Sequence, residues 1–211
     1  MVGAYHAMTE AFTVTRIACI GAPLLMLGYG VAHLIDGLDG IYGPGSAWTT
    51  GHLLFLVALL LLFGVLLVMR AALPRRGAAA AIGAGAVMVG AVGLLAFIRG
   101  VVIDVLVGLQ ANDRPAMDRL YPHYATFPGG LPRELTSAFD TLGPVCLIVG
   151  LLTLSILLAV LPPRRLPWWS AVLAAAGFVV ISVNLNLLLL FGVLLLVSFA
   201  PLTRRARARA A

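Results

Sequence analysis

Apolar residues run along this chain in long unbroken stretches, and polar residues gather between them. The first stretch begins after Arg16 and covers residues 17–35; others cover 51–69, 77–109 and 140–161. Each is long enough to carry a helix across a hydrocarbon layer about 30 Å thick. The stretch 77–109 exceeds one untilted span, so its far end is expected to project past the hydrocarbon. The first stretch also invites reading as a signal peptide. No small-x-small cleavage pattern follows it and Glu10 sits in its leader, so a membrane span is expected instead.

The last stretch, from Trp168 to Ala200, reads either as one very long helix or as two short ones. The short pair would cover 168–183 and 187–201 and turn at Asn184 and Asn186. Charge decides between them. Arg70, Arg75 and Arg76 follow the second run, Arg164 and Arg165 follow the fourth, and Arg204, Arg205, Arg207 and Arg209 close the chain. The positive-inside rule puts all three clusters in the cytoplasm, and only two helices return the tail there. The expectation is an all-α polytopic membrane protein: a bundle of six transmembrane helices, both termini cytoplasmic. Residues 1–211 then form one transmembrane domain in the cell membrane, with an outer loop over 110–139.

Composition agrees. The chain is 62% hydrophobic and 10% charged, with mean hydropathy +1.07, which excludes an ordinary soluble domain. All 14 basic residues are arginine, and with the Ala, Gly and Leu bias this matches a GC-rich bacterial genome. An isoelectric point near 10.2 raises nucleic-acid binding, but topology accounts for the charge. Ten arginines and Glu10 fall inside, four arginines and seven acids outside, together reproducing the net +6. The arginine-rich tail then holds the last helix in orientation, and anionic lipid is its second possible use. Cys19 and Cys146 lie within apolar runs and read as small core residues. No nucleotide-binding, metalloprotease or nucleophile-elbow motif is present.

Polar chemistry is thus concentrated at the outer end. The connection "GYGVAHLIDGLDGIYGPGSAWTTGH" carries His33, Asp36, Asp39 and His52 between two spans. His33 and Asp36, three apart, share a face if the first helix continues. Gly37, Gly40, Gly43, Pro44 and Gly45 then break it into turns. Trp48 sits where an interfacial anchor belongs, and Thr49 or Thr50 is placed to cap the second helix, with His52 in its first turn. Asp39 reads as a solvated loop carboxylate. Further on, Arg99 lies about 33 Å along the third run, near the outer boundary, and Asp104 is on a different helix face, so each needs partners elsewhere. Asn184 and Asn186 arrive at the same level, most simply as turn formers.

In the outer loop, Asp113, Arg114, Asp118 and Arg119 read as a solvated face. Tyr121, His123, Tyr124 and Phe127 are candidates for a lid, and "LPRELTSAF" is expected to start a helix leading into the fourth span, with Asp140 at its mouth.

Ionisable residues at membrane depth suggest function. The leading reading is an enzyme with a pocket at the outer helix ends and a lipid-soluble substrate. An apolar pocket favours the neutral form of a carboxyl group, so Asp36, Asp104 and, third, Asp140 are candidate general acids, oriented by His33, His52 or Arg99. Tyr29, Tyr42, Trp48, Phe55, Phe97 and Tyr124 would stabilise a developing cation, with Asn184 also in the substrate pocket. This set suits proton-initiated isoprenoid cyclisation. Size, span-only architecture and acids at helix ends resemble the small bacterial integral-membrane terpene cyclases, which act on prenylated compounds. The resemblance lies in general build and implies no residue roles. It implies a lipophilic small-molecule substrate in the bilayer; separately, neither metal nor cofactor is expected.

Three other readings stand beside it. His33 and His52 could ligate haem b. A transporter would use the ionisable residues, though the inner halves of the spans lack a polar path. An accessory protein or homo-oligomer would use Gly83, Gly90 and Gly93 as a close-contact face, although packing within the chain uses such glycines equally well.

Overall fold

Long apolar segments leave the backbone no water to bond with, so their amides and carbonyls must pair within helices. The computed structural model describes residues 13–124 and 133–210, and among these no strand occurs. Glu10, Phe127 and Pro132, each given a part in the sequence reading, lie outside them.

Helix α1 (Thr13–Asp36) contains a π-turn at Ile17–Gly21. It is followed by α2 (Ser46–Ala71), α3 (Ala78–Gln110), a short α4 (Arg114–Leu120) and a 3-10 turn (Tyr121–Tyr124). Then come α5 (Arg133–Val160), α6 (Trp168–Val183), a 3-10 turn (Leu185–Leu187) and α7 (Leu188–Ala210). Five of these helices (α1, α2, α3, α5, α7) are long and apolar enough to cross a membrane. The 16-residue α6 is shorter, about 24 Å at 1.5 Å per residue. The chain is therefore an all-helical membrane protein, with the expected break between 183 and 187 in place.

Several expected boundaries move. Helix α2 starts at Ser46 rather than Gly51, so Thr49 and Thr50 lie inside it and His52 in its second turn; Gly45 precedes it without a side-chain cap. Helix α5 begins at Arg133, seven residues before the expected span, as the acid-bearing "RELTSAF" implied. The stretch 110–139 is thus not one loop. Asp113 caps α4 by accepting from the Ala116 amide at 2.7 Å, which turns the chain back over the bundle. Asp113, Arg114, Asp118 and Arg119 are exposed as expected, with Arg114 and Asp118 paired at 3.3 Å one turn apart. Helix α7 continues to Ala210, past the expected 201.

The six long helices close into a ring: α1 packs on α2, α2 on α3, α3 on α5, α5 on α6, α6 on α7, and α7 back on α1. Leu59, Leu62 and Leu66 of α2, Leu151, Leu154 and Leu158 of α5, and Phe199 of α7 fill the centre. Lipid is as apolar as leucine, so such a bundle is held by close packing and interhelical hydrogen bonds. Glycines let α3 and α5 approach backbone to backbone. A Cβ on Gly93 would run into the Leu147 amide and the Gly143 carbonyl, and one on Gly150 into the Ala86 carbonyl. Gly83 faces Leu73 and Arg70 instead. Gly90 meets the Leu66 side chain, so Gly83, Gly90 and Gly93 all face groups of this chain. Ser198 of α7 donates to the Ser170 carbonyl of α6 at 2.7 Å. Cys19 is buried and Cys146 half-buried, both as free thiols.

Candidate functional site

Helices α3 and α5 are in closest contact around Gly93 and Gly143, and Ala96 presses on Gly143. One turn further from the arginine end, longer side chains separate them. Pro144 lacks the amide that would bond the Asp140 carbonyl, which weakens α5 at this level. A cavity of about 460 Å³ opens here, with Phe55, Phe97, Asp104, Tyr121, Asp140 and Pro144 in its wall. Arg99 and Tyr124 complete its rim. The volume is that of a small-molecule site, mostly apolar with few polar groups.

Asp104 is the most elaborately held acid. Tyr121 donates to its Oδ1 at 2.8 Å, and His52 Nε2 faces its Oδ2 at 3.6 Å. The Trp48 indole donates to the Asp104 carbonyl at 3.0 Å. His52 is buried, and its Nδ1 lies 2.8 Å from the Trp48 carbonyl. A carbonyl only accepts, so Nδ1 carries a proton and Nε2 is the nitrogen turned toward Asp104. The Trp48 ring packs on His52 at 4.2 Å and lies where a Cβ on Gly108 would be, so only glycine admits it. Tyr121, outside the spans, has its phenol pushed above its ordinary range by burial first, then by its hydrogen bond to Asp104 and that group's charge.

Arg99 ties three parts together. Its Nη1 donates to both carboxylate oxygens of Asp140, at 2.9 and 2.7 Å, and its Nη2 to the Tyr124 carbonyl at 2.8 Å. Gln110 donates to the Tyr124 hydroxyl at 2.7 Å. Segment 114–124 is thereby fastened beside the cavity at Arg99, Gln110 and Asp104.

The remaining residues form a second cluster. His33 stacks on Tyr42 at 4.6 Å, and the Tyr42 hydroxyl donates to Asn186 Oδ1 at 3.0 Å. Asp36 accepts from the Gly43 amide at 3.3 Å, Asp39 accepts from Ile41, and Arg114 donates to the Tyr42 carbonyl. Tyr29 connects the two clusters, edge-on to His52 at 5.4 Å and stacked on Phe55 at 4.7 Å. Phe55 in turn meets Phe97 at 6.2 Å.

The candidate residues therefore divide. Asp104, Arg99, Asp140, Phe55, Phe97 and Tyr124 line the cavity. His52, Trp48 and Tyr29 stand behind it. His33, Asp36 and Tyr42 belong to the loop cluster and do not line it. Asn184 is exposed and bonds the Asn186 amide at 2.8 Å, a turn former; its neighbour Asn186 makes the contact with Tyr42. Tyr121 was read only as part of a lid, and its link to Asp104 depends on the Asp113 cap. Pro144 and Gly108 were not singled out, although a proline within an apolar run was a visible signal.

For haem, His33 and His52 are poorly disposed. Both nitrogens of His52 are engaged, and His33 is stacked on Tyr42. Among the described residues no group of three or more His, Cys, Asp or Glu side chains is placed to hold a metal ion. No family model, curated protein or solved structure matches this chain. Its own residues carry the functional argument: a membrane protein with an acid at one apolar cavity, bonded to a phenol and faced by an imidazole.

Proposed function

We propose that the chain is an enzyme of the cell membrane that protonates a lipid-soluble, isoprenoid-type substrate. The six helices all span, the arginine-bearing end and both termini are cytoplasmic, and the cavity opens in the outer half. The observation that carries the reading is Asp104 at the cavity wall, bonded to Tyr121 and facing His52. Asp104 gives its proton to a carbon–carbon double bond. The resulting cation lies against Phe55 and Phe97, whose ring faces contribute about 0.5–2 kcal/mol each. Loss of a proton from the cation to the Asp104 carboxylate ends an isomerisation or ring closure and restores the acid. His52, its Nδ1 proton fixed by Trp48, holds the carboxyl in orientation. Asp140, bound by Arg99, has a fastening role, and Asp36 lies off the cavity.

The test begins with lipid copurified with the chain, which serves as the probe in deuterium oxide. Wild type should place deuterium on carbon in the product, read by mass spectrometry. Asp104→Asn should lower the rate by about 10²–10⁴, with binding of the lipid retained. Asp36→Asn should remain near wild type. Full turnover in Asp104→Asn would refute the assignment. An absorption spectrum with a Soret band would favour the haem reading instead.

A further inference from the structure

The opposite end of the bundle holds a feature that the cavity chemistry does not use. Residues 162–165 turn the chain from α5 into α6. Within this turn Arg164 has φ 45°, a left-handed conformation that residues with a side chain rarely adopt. The turn is pinned there. The Arg164 amide donates to the Leu161 carbonyl at 2.6 Å, the Leu166 amide to Leu158 at 3.0 Å, and the Leu166 side chain is buried. The result directs two neighbouring arginines to different places. Arg165 borders a cavity of about 120 Å³ with Leu73, Pro74 and Leu161. Arg164 borders a larger one of about 420 Å³ with Val160, Pro167 and Trp168.

The larger cavity has the composition of a lipid headgroup site. A guanidinium is a strong partner for phosphate, and an indole at its edge suits the glycerol region between headgroup and acyl chain. Trp168 is 73% exposed and Val160 57%, so an apolar strip continues from the arginine along the helix surface. Among the described residues the charge at this end is positive. Arg70, Arg75, Arg76, Arg164, Arg165 and Arg204 all lie at this end, and every acid among the described residues belongs to the other. Such basic pockets between helices attract anionic headgroups. We propose that the turn between α5 and α6 binds an anionic glycerophospholipid, its phosphate on Arg164 and its glycerol and first acyl carbons along Trp168 and Val160. The site is independent of the reaction proposed above.

The full chain, purified in detergent, would be titrated with phosphatidylglycerol or with phosphatidylcholine of the same acyl chains, and bound lipid counted by native mass spectrometry. Wild type should retain one phosphatidylglycerol in preference to phosphatidylcholine. Arg164→Gly removes the guanidinium while suiting the left-handed backbone, and should weaken retention about five-fold. Trp168→Leu, which leaves the turn and its charge untouched, should also weaken it and keeps the test open if the first variant does not fold. Arg204→Gln, on the tail, should leave retention unchanged. Equal retention by Arg164→Gly and wild type would overturn the proposal. Equal loss in Arg204→Gln would also overturn it, because diffuse charge would then suffice. Inorganic phosphate added at the lipid concentration should not displace the lipid; displacement would identify free phosphate as the occupant and overturn the lipid assignment.

Discussion

Replacing Arg99 by methionine tests whether the bridge across the cavity holds α3, α5 and segment 114–124 together. Methionine preserves most of the stem and removes, among the described contacts, the hydrogen bonds to Asp140 and to the Tyr124 carbonyl. Side-chain exposure is 15% for Arg99 and 42% for Asp140, which places the pair between two regimes. Exposed pairs contribute about 0.2–1 kcal/mol, and breaking a buried one costs about 3–5 kcal/mol. With Asp140 nearly half in solvent, the screened pair should contribute about 1.5 kcal/mol. The Tyr124 bond should add about 1 kcal/mol. Arg99→Met should therefore destabilise by about 2.5 kcal/mol. Asp140→Leu should cost about 1.5–2 kcal/mol, and the double variant should fall short of the sum by about 1.5 kcal/mol. Unfolding by a denaturing detergent, followed by helix circular dichroism, reads all four corners of the cycle. Hydrogen exchange adds a separate check: Arg99→Met should expose the amides of 114–124, whereas Asp140→Leu leaves the Tyr124 bond and should expose them less. A coupling below about 0.5 kcal/mol, or equal exchange in the two single variants, would refute the idea of a common fastening.

Gly93→Ala should destabilise by about 1–3 kcal/mol in the same titration, because its Cβ meets fixed backbone of α5. Gly85→Ala, whose Cβ meets nothing within 4 Å, should be neutral or gain up to about 1 kcal/mol, and a matching loss at both sites would contradict the packing. Tyr121 should ionise above the ordinary tyrosine value of about 10, seen as phenolate absorbance missing from Tyr121→Phe. Its contribution to stability is then complete below about pH 10 and is lost as pH rises through the higher folded value; titration of Tyr121 at or below 10 would be inconsistent with the bond to Asp104. A cysteine at Asn184 should react with an impermeant reagent from outside intact cells and one at Ala206 should not; labelling of both would defeat the six-span orientation.

The amino-acid sequence by itself determined the membrane class, the place of each long helix, the ends of α3 and α6 to within a residue, the break at Asn184 and the gathering of acids at the end opposite the arginine clusters. These are properties of single residues and their order: a run of twenty apolar side chains must become a helix in lipid, and arginines gather at its ends. Turn chemistry was also local enough to read, as at Asn184 and in the solvated face of α4. Tertiary structure alone decided which acid meets which partner. Asp36 and Asp104 looked alike from sequence, each a carboxylate beside an apolar run at the same end of the spans. Helix rotation turned Asp104 toward His52 and the cavity and left Asp36 at the end of α1, beside the Gly43 amide. Arg99 and Asp140, forty-one residues apart, meet because glycines bring α3 and α5 together below them. Tyr121 reaches Asp104 because a cap at Asp113 folds the segment back. Helix rotation, crossing and chain reversal depend on contacts between distant side chains, which hydropathy along the chain does not record.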